Sequence, residues 1–441
     1  RDSKTKVSND GRKNMKINLN NKSFNYIAVY MTLFYAFVTR SILATLVFRN
    51  VAMNLVVYGI IYIGLTYAFL NSFDRSHGHL YAPRGLFTII LLAIIMFYEM
   101  GVSDSLSSVR YYAIALLLPF AMLPEMKDSK NGSIAFAIIG VFFSFGCFFN
   151  YFFLPLYRAL VKPLFSAVAL ESINATEKMR GTANYVAGFT SQVGYTSFFI
   201  IVCIGAVFCF RKTVFKRASY PLLLFMVGGL LLTGKRGPIA FFVAAIMLVY
   251  FMEGYGREKL YRVFKIAGLL VAMFMALAFL AKFTGSDGIK KIYETFQELI
   301  TSGSVDDAGR TQLHEQAIRY FIANPILGIG WTNFMKMFTL RNTHVHCIYL
   351  QLLCETGLVG FIAFVGFFAK RFVATLKQAQ MVNRTGNAMD ASWIRFSLYV
   401  QAYFLMYGIT GNPLYDVEET ILYFFAIGIS YLPLIGNKQG D

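Results

Sequence analysis

Sparsely charged apolar stretches recur along the chain, and they constrain its fold more than any other feature. They lie near residues 27–49, 53–73, 85–101, 110–126, 133–156, 191–210, 219–233, 238–252, 264–282, 347–369, 393–412 and 419–435. A helix of about 20 such residues crosses a hydrocarbon core roughly 30 Å thick while satisfying its own backbone. Only 15% of the residues are charged and 57% are hydrophobic, whereas soluble domains carry roughly 25% charge. The expectation is an all-α polytopic membrane protein with about twelve transmembrane helices. The segment "LLTGKRGPIAFF" within 219–252 reads as a tight turn between two short helices.

The net charge is +18, and where it sits decides what it means. Segments 1–26, 74–84, 127–132, 211–218, 253–265, 370–392 and 436–441 alternate with segments that hold only Arg49, Arg110, Lys235 and Arg236 in their short members. Lys and Arg concentrate in the first set, which is therefore assigned to the cytoplasm together with both termini. This asymmetry absorbs most of the charge and removes a nucleic-acid partner from consideration. Residues 1–26 hold seven Lys/Arg and two Asp without an apolar core, so they read as a cytoplasmic basic tail and not a signal peptide. The organisation that follows is a tail at 1–26 and nine helices within 27–282, with an outer loop at 157–190. A large outer loop follows at 283–346, then three helices within 347–435 and a cytoplasmic tail at 436–441. The five cysteines fall in or beside apolar stretches, away from metal-ligand spacing.

Loops as long as 157–190 and 283–346 are expected to be ordered and functional. In the second, Leu313, Ala317, Ile318, Phe321 and Ile322 follow helical spacing. Asp306 or Asp307 would cap this helix and Asn324-Pro325 would end it. Arg310 and His314 share a face at i and i+4.

This layout places Arg180, Lys235, Arg236, Arg310, His344 and His346 on one side. Two cations in the "TGKRGP" turn, where short loops otherwise avoid them, point to an anion, and arginine's planar fork suits phosphate. Snorkelling to lipid headgroups is the plainer alternative. Histidine is a natural general base near neutral pH, although an interfacial histidine is more often a hydrogen-bonded surface group. If residues 346–355 were helical, Glu355 would lie about 13 Å along the axis from His346 and could not orient it. An acid at that depth calls for a partner or a polar cavity. The "HEQAI" at 314–318 lacks the second histidine of a zinc protease. Asp416 and Glu418 in "NPLYDVEETI" read as a solvated loop or an acceptor-sugar contact, with metal binding the lesser alternative. Arg40 has no assigned role.

Four segments together resemble the O-antigen ligase/polymerase superfamily of bacterial membrane glycosyltransferases. They are "TEKMRGTANYVAGFTSQVGYTSF" (176–198), "LLLTGKRGPIAFF" (230–242), "AGRTQLHEQAIRYFIANPILGIGWTNF" (308–334) and "HVHCIYLQLLCETGLVG" (344–360). The resemblance implies a C-type glycosyltransferase-like bundle in the bacterial cytoplasmic (inner) membrane, with amphipathic helices in its long outer loop and its active site on the outer face. It also implies transfer of a glycan from undecaprenyl diphosphate, by inversion and without a metal or other cofactor. The acceptor would be a second lipid-linked glycan in a polymerase or lipid A-core in a ligase. Membrane lipids and a chain-length regulator would be the remaining partners. On this pattern His346 is the general base and Arg236, Arg310 and Arg180 hold the diphosphate, with His344, Lys235 and Glu355 as further substrate contacts. Cys347 stands where the family usually has Asn, which places in doubt the hydrogen bond an Asn would give. The "TGKRGP" turn looks more like polymerase members. A lipid-linked sugar transporter is the alternative from another class. It would place polar groups near the midplane and show repeats between halves, and no repeat is visible.

Overall fold

A computed structural model describes residues 21–47, 51–76, 79–81, 83, 85–103, 108–127, 129–180, 185–254, 257–283, 287–302, 310–338, 343–385 and 387–432. The two terminal tails, apart from residues 21–26, lie outside these residues, as do Arg49, Asp306 and Asp307.

The elements in chain order are α1 (Asn21–Val38), α2 (Ile42–Val47), α3 (Val51–Asn71), a hairpin of β1 (Asp74–Ser76) and β2 (His79–Tyr81), α4 (Leu86–Val102), α5 (Val109–Ala121), α6 (Asn131–Phe152), α7 (Leu154–Leu160), α8 (Ala167–Arg180) and α9 (Val193–Cys209). There follow α10 (Ser219–Leu232), α11 (Arg236–Met252), α12 (Arg257–Phe283), α13 (Asp287–Ser302), α14 (Thr311–Ala323), α15 (Asn333–Met337), α16 (Ile348–Thr385), α17 (Ala388–Tyr407) and α18 (Val417–Tyr431). The hairpin is antiparallel, with Asp74 opposite Tyr81.

Each apolar stretch carries a helix. Among the described residues four helices are long and apolar enough to cross a membrane by length and composition: Asn131–Phe152, Arg211–Leu232, Arg257–Phe283 and Ile348–Val382. Shorter apolar helices, Ser23–Val38, Leu55–Asn71, Leu86–Val102, Val109–Ala121, Val193–Cys209 and Arg236–Met252, accompany them.

A helix apolar on all sides is stable in one of two places, the centre of a bundle or a lipid environment. Both occur here. Every residue of α9 except Gly194 and Phe208 is buried, as is every residue of α18 from Glu418 to Ser430. Around them pack α5, α6, α10 and α17, with α11 and α16 against α17. By contrast α12 turns Leu260, Tyr261, Phe264, Val271, Met275 and Phe279 outward. An apolar face of that extent has no stable place in water and fits a hydrocarbon surface.

Polar staples tie one end of the bundle. Glu253 Oε2 receives Arg211 at 2.7 Å, Lys212 at 3.2 Å and Arg262 at 3.5 Å. Burial opposes the charge on Glu253, but Arg211, Arg395 and Lys212 overcome it and hold the carboxyl below its ordinary value. Lys127 and Asp390, both buried, stand 3.6 Å apart at the same end.

The opposite end is built differently. The long apolar stretch that opens at Ile348 is one helix by hydrogen bonding but breaks at Gly357 (φ 59°, ψ −164°). There Leu358 N–H donates to Pro325 O and Val359 N–H to Ile326 O, while Ile329 and Gly330 N–H donate to Cys354 and Glu355 carbonyls. The 325–330 segment thus lies against the break. A Cβ on Gly357 would meet Ile326 O at 2.2 Å.

Candidate active site

Residues 343–347 lead into α16 without being helical, so α16 begins after both histidines. Ile348 N–H donates to Gly408 O at 2.8 Å, fixing the segment beside the end of α17. His346 sits in the left-handed region (φ 60°). A non-glycine residue persists there only where its surroundings hold it, and such positions concentrate at functional sites.

Gln351 organises the two histidines. Its Oε1 accepts from Val345 N–H at 3.2 Å, so its Nε2 faces His344 Nδ1 at 2.8 Å and Glu355 Oε1 at 3.2 Å. A backbone N–H can only donate and an ionised carboxylate can only accept, so the amide orientation is determined by its neighbours. His344 Nδ1 must then be an acceptor and its proton resides on Nε2. Burial lowers His344 to about 4, the Gln351 hydrogen bond opposing. His344 is therefore a neutral N–H donor.

His346 is held differently. Its Nε2 lies 3.4 Å from the Thr343 hydroxyl. Burial, then the charges of Arg310, His344, Lys235 and His314, lower it to about 4. The ring is neutral at physiological pH and can accept a proton. Arg310 and Lys235 thus lie within electrostatic reach of the ring. Lys235 is the residue before α11 and Arg310 the residue before α14. Two helix N-termini, each favourable to an anion, thus carry cations towards His346.

The roof over this site is α14, which begins after Arg310, later than the Asp306 or Asp307 cap expected for it. Leu313 and Ala317 pack with Phe334, Phe338, Val345 and Cys354. Ile318 and Ile322, on the same helical repeat, are instead exposed. Cys347 belongs to this cluster, so at the position of the family's Asn this chain has an apolar packing residue.

The remaining expected site residues fall as follows. Arg236 Nη1 donates to Thr295 Oγ1 at 2.7 Å, which ties the start of α11 to α13. Arg180 closes α8, and its side chain lies outside the described residues. Glu355, expected to contact substrate, is fully buried. Its carboxylate accepts from Thr332 N–H at 2.9 Å, Phe334 N–H at 3.1 Å and Gln351. Through Gln351 it is linked to His344.

A second polar cluster joins Arg40, which had no assigned role, to the "NPLYDVEETI" segment. Arg40 Nε meets Glu418 Oε1 at 2.9 Å, Thr39 donates to the same oxygen at 3.0 Å, and the Tyr195 hydroxyl donates to Asp416 Oδ1 at 2.7 Å. The "NPLYDVEETI" segment is not a solvated loop, because Asn412–Tyr415 and Glu418–Thr420 are buried. Its signal in the sequence was the three acids themselves, next to an apolar run. Among the described residues no three His, Cys, Asp or Glu side chains converge as a metal site.

The O-antigen ligase family model matches residues 221–365, from α10 through the break in α16. The match supports the O-antigen ligase/polymerase superfamily, membrane enzymes that transfer glycans. A search of curated proteins found no match.

Proposed function

We propose that this chain, with an O-antigen ligase match over residues 221–365, polymerises lipid-linked oligosaccharide repeats at the outer face of a bacterial inner membrane. The donor is a glycan on undecaprenyl diphosphate. Twelve helices span the bilayer with both termini in the cytoplasm, and the 343–347 segment faces outward.

The observation that carries this reading is the convergence of Arg310 and Lys235 on the neutral ring of His346. The acceptor sugar hydroxyl gives its proton to His346 as its oxygen bonds to the donor's anomeric carbon. The bond from that carbon to the phosphate oxygen breaks on the opposite face, so configuration inverts. Arg310 and Lys235 take up the charge that develops on the departing diphosphate, as fixed cations do at other developing oxyanions. Arg236 holds the 233–237 turn against α13, and Arg180 is a further diphosphate contact. His344 donates its Nε2–H within the same pocket.

The bound diphosphate also improves the base. Burial and the neighbouring cations both lower His346; an anion between those cations offsets their share and raises its proton affinity.

A second reading, transfer of the finished glycan to lipid A-core, is favoured by the description of the matching family. Purified protein given synthetic undecaprenyl-diphosphate repeats decides between them. A polymerase yields a ladder of lipid-linked products. A ligase yields none until lipid A-core is added. His346→Ala and Arg310→Ala are expected to abolish either product; full activity in both variants overturns the proposal.

A further inference from the structure

Cytoplasmic loops of membrane proteins are rich in Lys and Arg by default, so the abundance of cations at the Glu253 end carries no inference. Their arrangement does. Residues 211–218 and 253–265, with Arg395, hold nine Lys/Arg and two acids, Glu253 and Glu258. The two segments form one patch, because Arg211 and Lys212 from the first and Arg262 from the second meet on the same Glu253 oxygen. Arg262 also meets Glu258, at 2.9 Å. Both acids are thus engaged by the inner cations. Lys216, Arg217, Arg257, Lys259 and Lys265 make no ion pair among the described residues. All of these except Lys259 are exposed. A surplus of one sign on this scale attracts a partner that presents many negative charges.

The depth of the cations decides which partner. The helices that follow the two segments start at Ser219 (α10) and Arg257 (α12). Within two turns of those starts Tyr220, Leu224, Leu260, Tyr261 and Phe264 are exposed. Large apolar groups in that position face acyl chains, and tyrosine is enriched where chains meet headgroups. Lys265 lies one turn further into α12 than Tyr261 and stands over the Tyr261 ring, 4.5 Å from its centroid. This is a cation on the apolar part of a helix reaching back to the interface. Lys259 lies likewise over Phe251, at 5.2 Å. A folded soluble partner reaches Arg217 but not a cation at the depth of Lys265. Phosphates in the plane of the bilayer reach both.

We propose that this patch is a binding site for anionic phospholipid of the cytoplasmic leaflet. Headgroup phosphates lie among Lys216, Arg217, Arg257, Lys259 and Lys265, and acyl chains run along the exposed apolar faces of α10 and α12. The α12 helix packs against α11 and α13 and turns a long apolar face outward, so a bound headgroup fixes its start at the bilayer surface. The proposal rests on the membrane placement above and is independent of the chemistry at His346.

The test uses the full chain in nanodiscs made from equal parts of phosphatidylglycerol and phosphatidylcholine. Lipids that stay bound when the protein is released into detergent are counted by native mass spectrometry. The wild type is expected to retain phosphatidylglycerol in preference to phosphatidylcholine. One basic side chain near an anionic bilayer surface contributes roughly a five-fold change in affinity, so Lys216→Gln combined with Arg217→Gln is expected to cut the preference at least ten-fold. Lys259→Gln combined with Lys265→Gln, on the other segment, is expected to do the same and serves if the first variant does not fold. Lys290→Gln on α13, the helix that Arg236 binds at the opposite end, is the control and is expected to stay within two-fold of the wild type. Absence of a preference in the wild type, its persistence in both double variants, or its equal loss in Lys290→Gln overturns the proposal. Poly-L-glutamate binding more tightly than phosphatidylglycerol also overturns it and assigns the patch to an acidic protein. The readout needs neither glycan substrate nor a sided membrane, so it holds or fails separately from the outer-face transfer reading.

Discussion

His344 and His346 are two residues apart and do different chemistry because their ring nitrogens meet different neighbours. His344 Nδ1 is occupied by Gln351, whereas His346 faces the Thr343 hydroxyl and a field of cations. The sign of that field is testable. A cation beside an imidazole disfavours imidazolium, so removing one raises the ring's pKa. In a ¹³C-histidine NMR titration, His346 is expected to titrate at about 4 in the wild type and to move up in Lys235→Gln while staying below 6.5, because burial and Arg310 still lower it. A downward or absent shift would show that Lys235 does not face the ring. Gln351 supplies a second prediction. Gln351→Leu keeps much of the volume but leaves Val345 N–H, His344 Nδ1 and Glu355 without their shared partner. Its kcat is expected to fall at least ten-fold, by loss of positioning, with the bare lipid diphosphate still bound. The candidates themselves were legible in the sequence because histidines and arginines at the edge of apolar stretches are conspicuous. Gln351 was not, since two of its three partners, His344 and Val345, reach it only because the 343–347 segment is not helical.

Among the elements, the helices were the most legible, because a sparsely charged run of about 20 residues leaves a chain few other structures. What hydropathy could not show was the interruption at Gly357. The long stretch around it is apolar as a whole, and the carbonyls that accept in place of the helical ones are those of Pro325 and Ile326, some thirty positions earlier. Glu355, on the helical turn before the break, holds the backbone at Thr332 and Phe334, and Gln351 links it to His344. Gly357 is required twice over, by its backbone angles and by the close approach of Ile326. Its ψ near 180° at positive φ is a region essentially confined to glycine, with a cost of order 1–3 kcal/mol for other residues. Gly357→Ala is therefore expected to lower the thermal midpoint of the purified protein and to reduce transfer more than folded yield. The comparison is made on the monodisperse fraction, and wild-type specific activity there would show that α14 does not depend on the break for its position.

The whole molecule is a bundle with chemically distinct ends. One end gathers basic side chains around Glu253 and buries the Lys127–Asp390 pair. The other brings the 233–237 turn, the 343–347 segment, α14 and the loop before α18 together. The charge asymmetry in the sequence implies that the first end is cytoplasmic, and the proposed chemistry requires the second to face outward, where the glycan is assembled. Both demands reduce to one labelling experiment, for which the protein is well suited because its five native cysteines are all buried. Lys212, with 65% of its side chain exposed, marks the Glu253 end, and Lys290, at 63%, lies on α13, the helix that Arg236 binds at the other. Introduced one at a time, Lys290→Cys is expected to react with a membrane-impermeant maleimide in intact cells whose outer layers admit the reagent. Lys212→Cys is expected to react only after the inner membrane is opened. Reversal of the pair would turn His346 towards the cytoplasm and end the proposal of outer-face transfer. Labelling of both positions in intact cells would show that the two ends are not separated by a bilayer, and the basic end would then need another explanation.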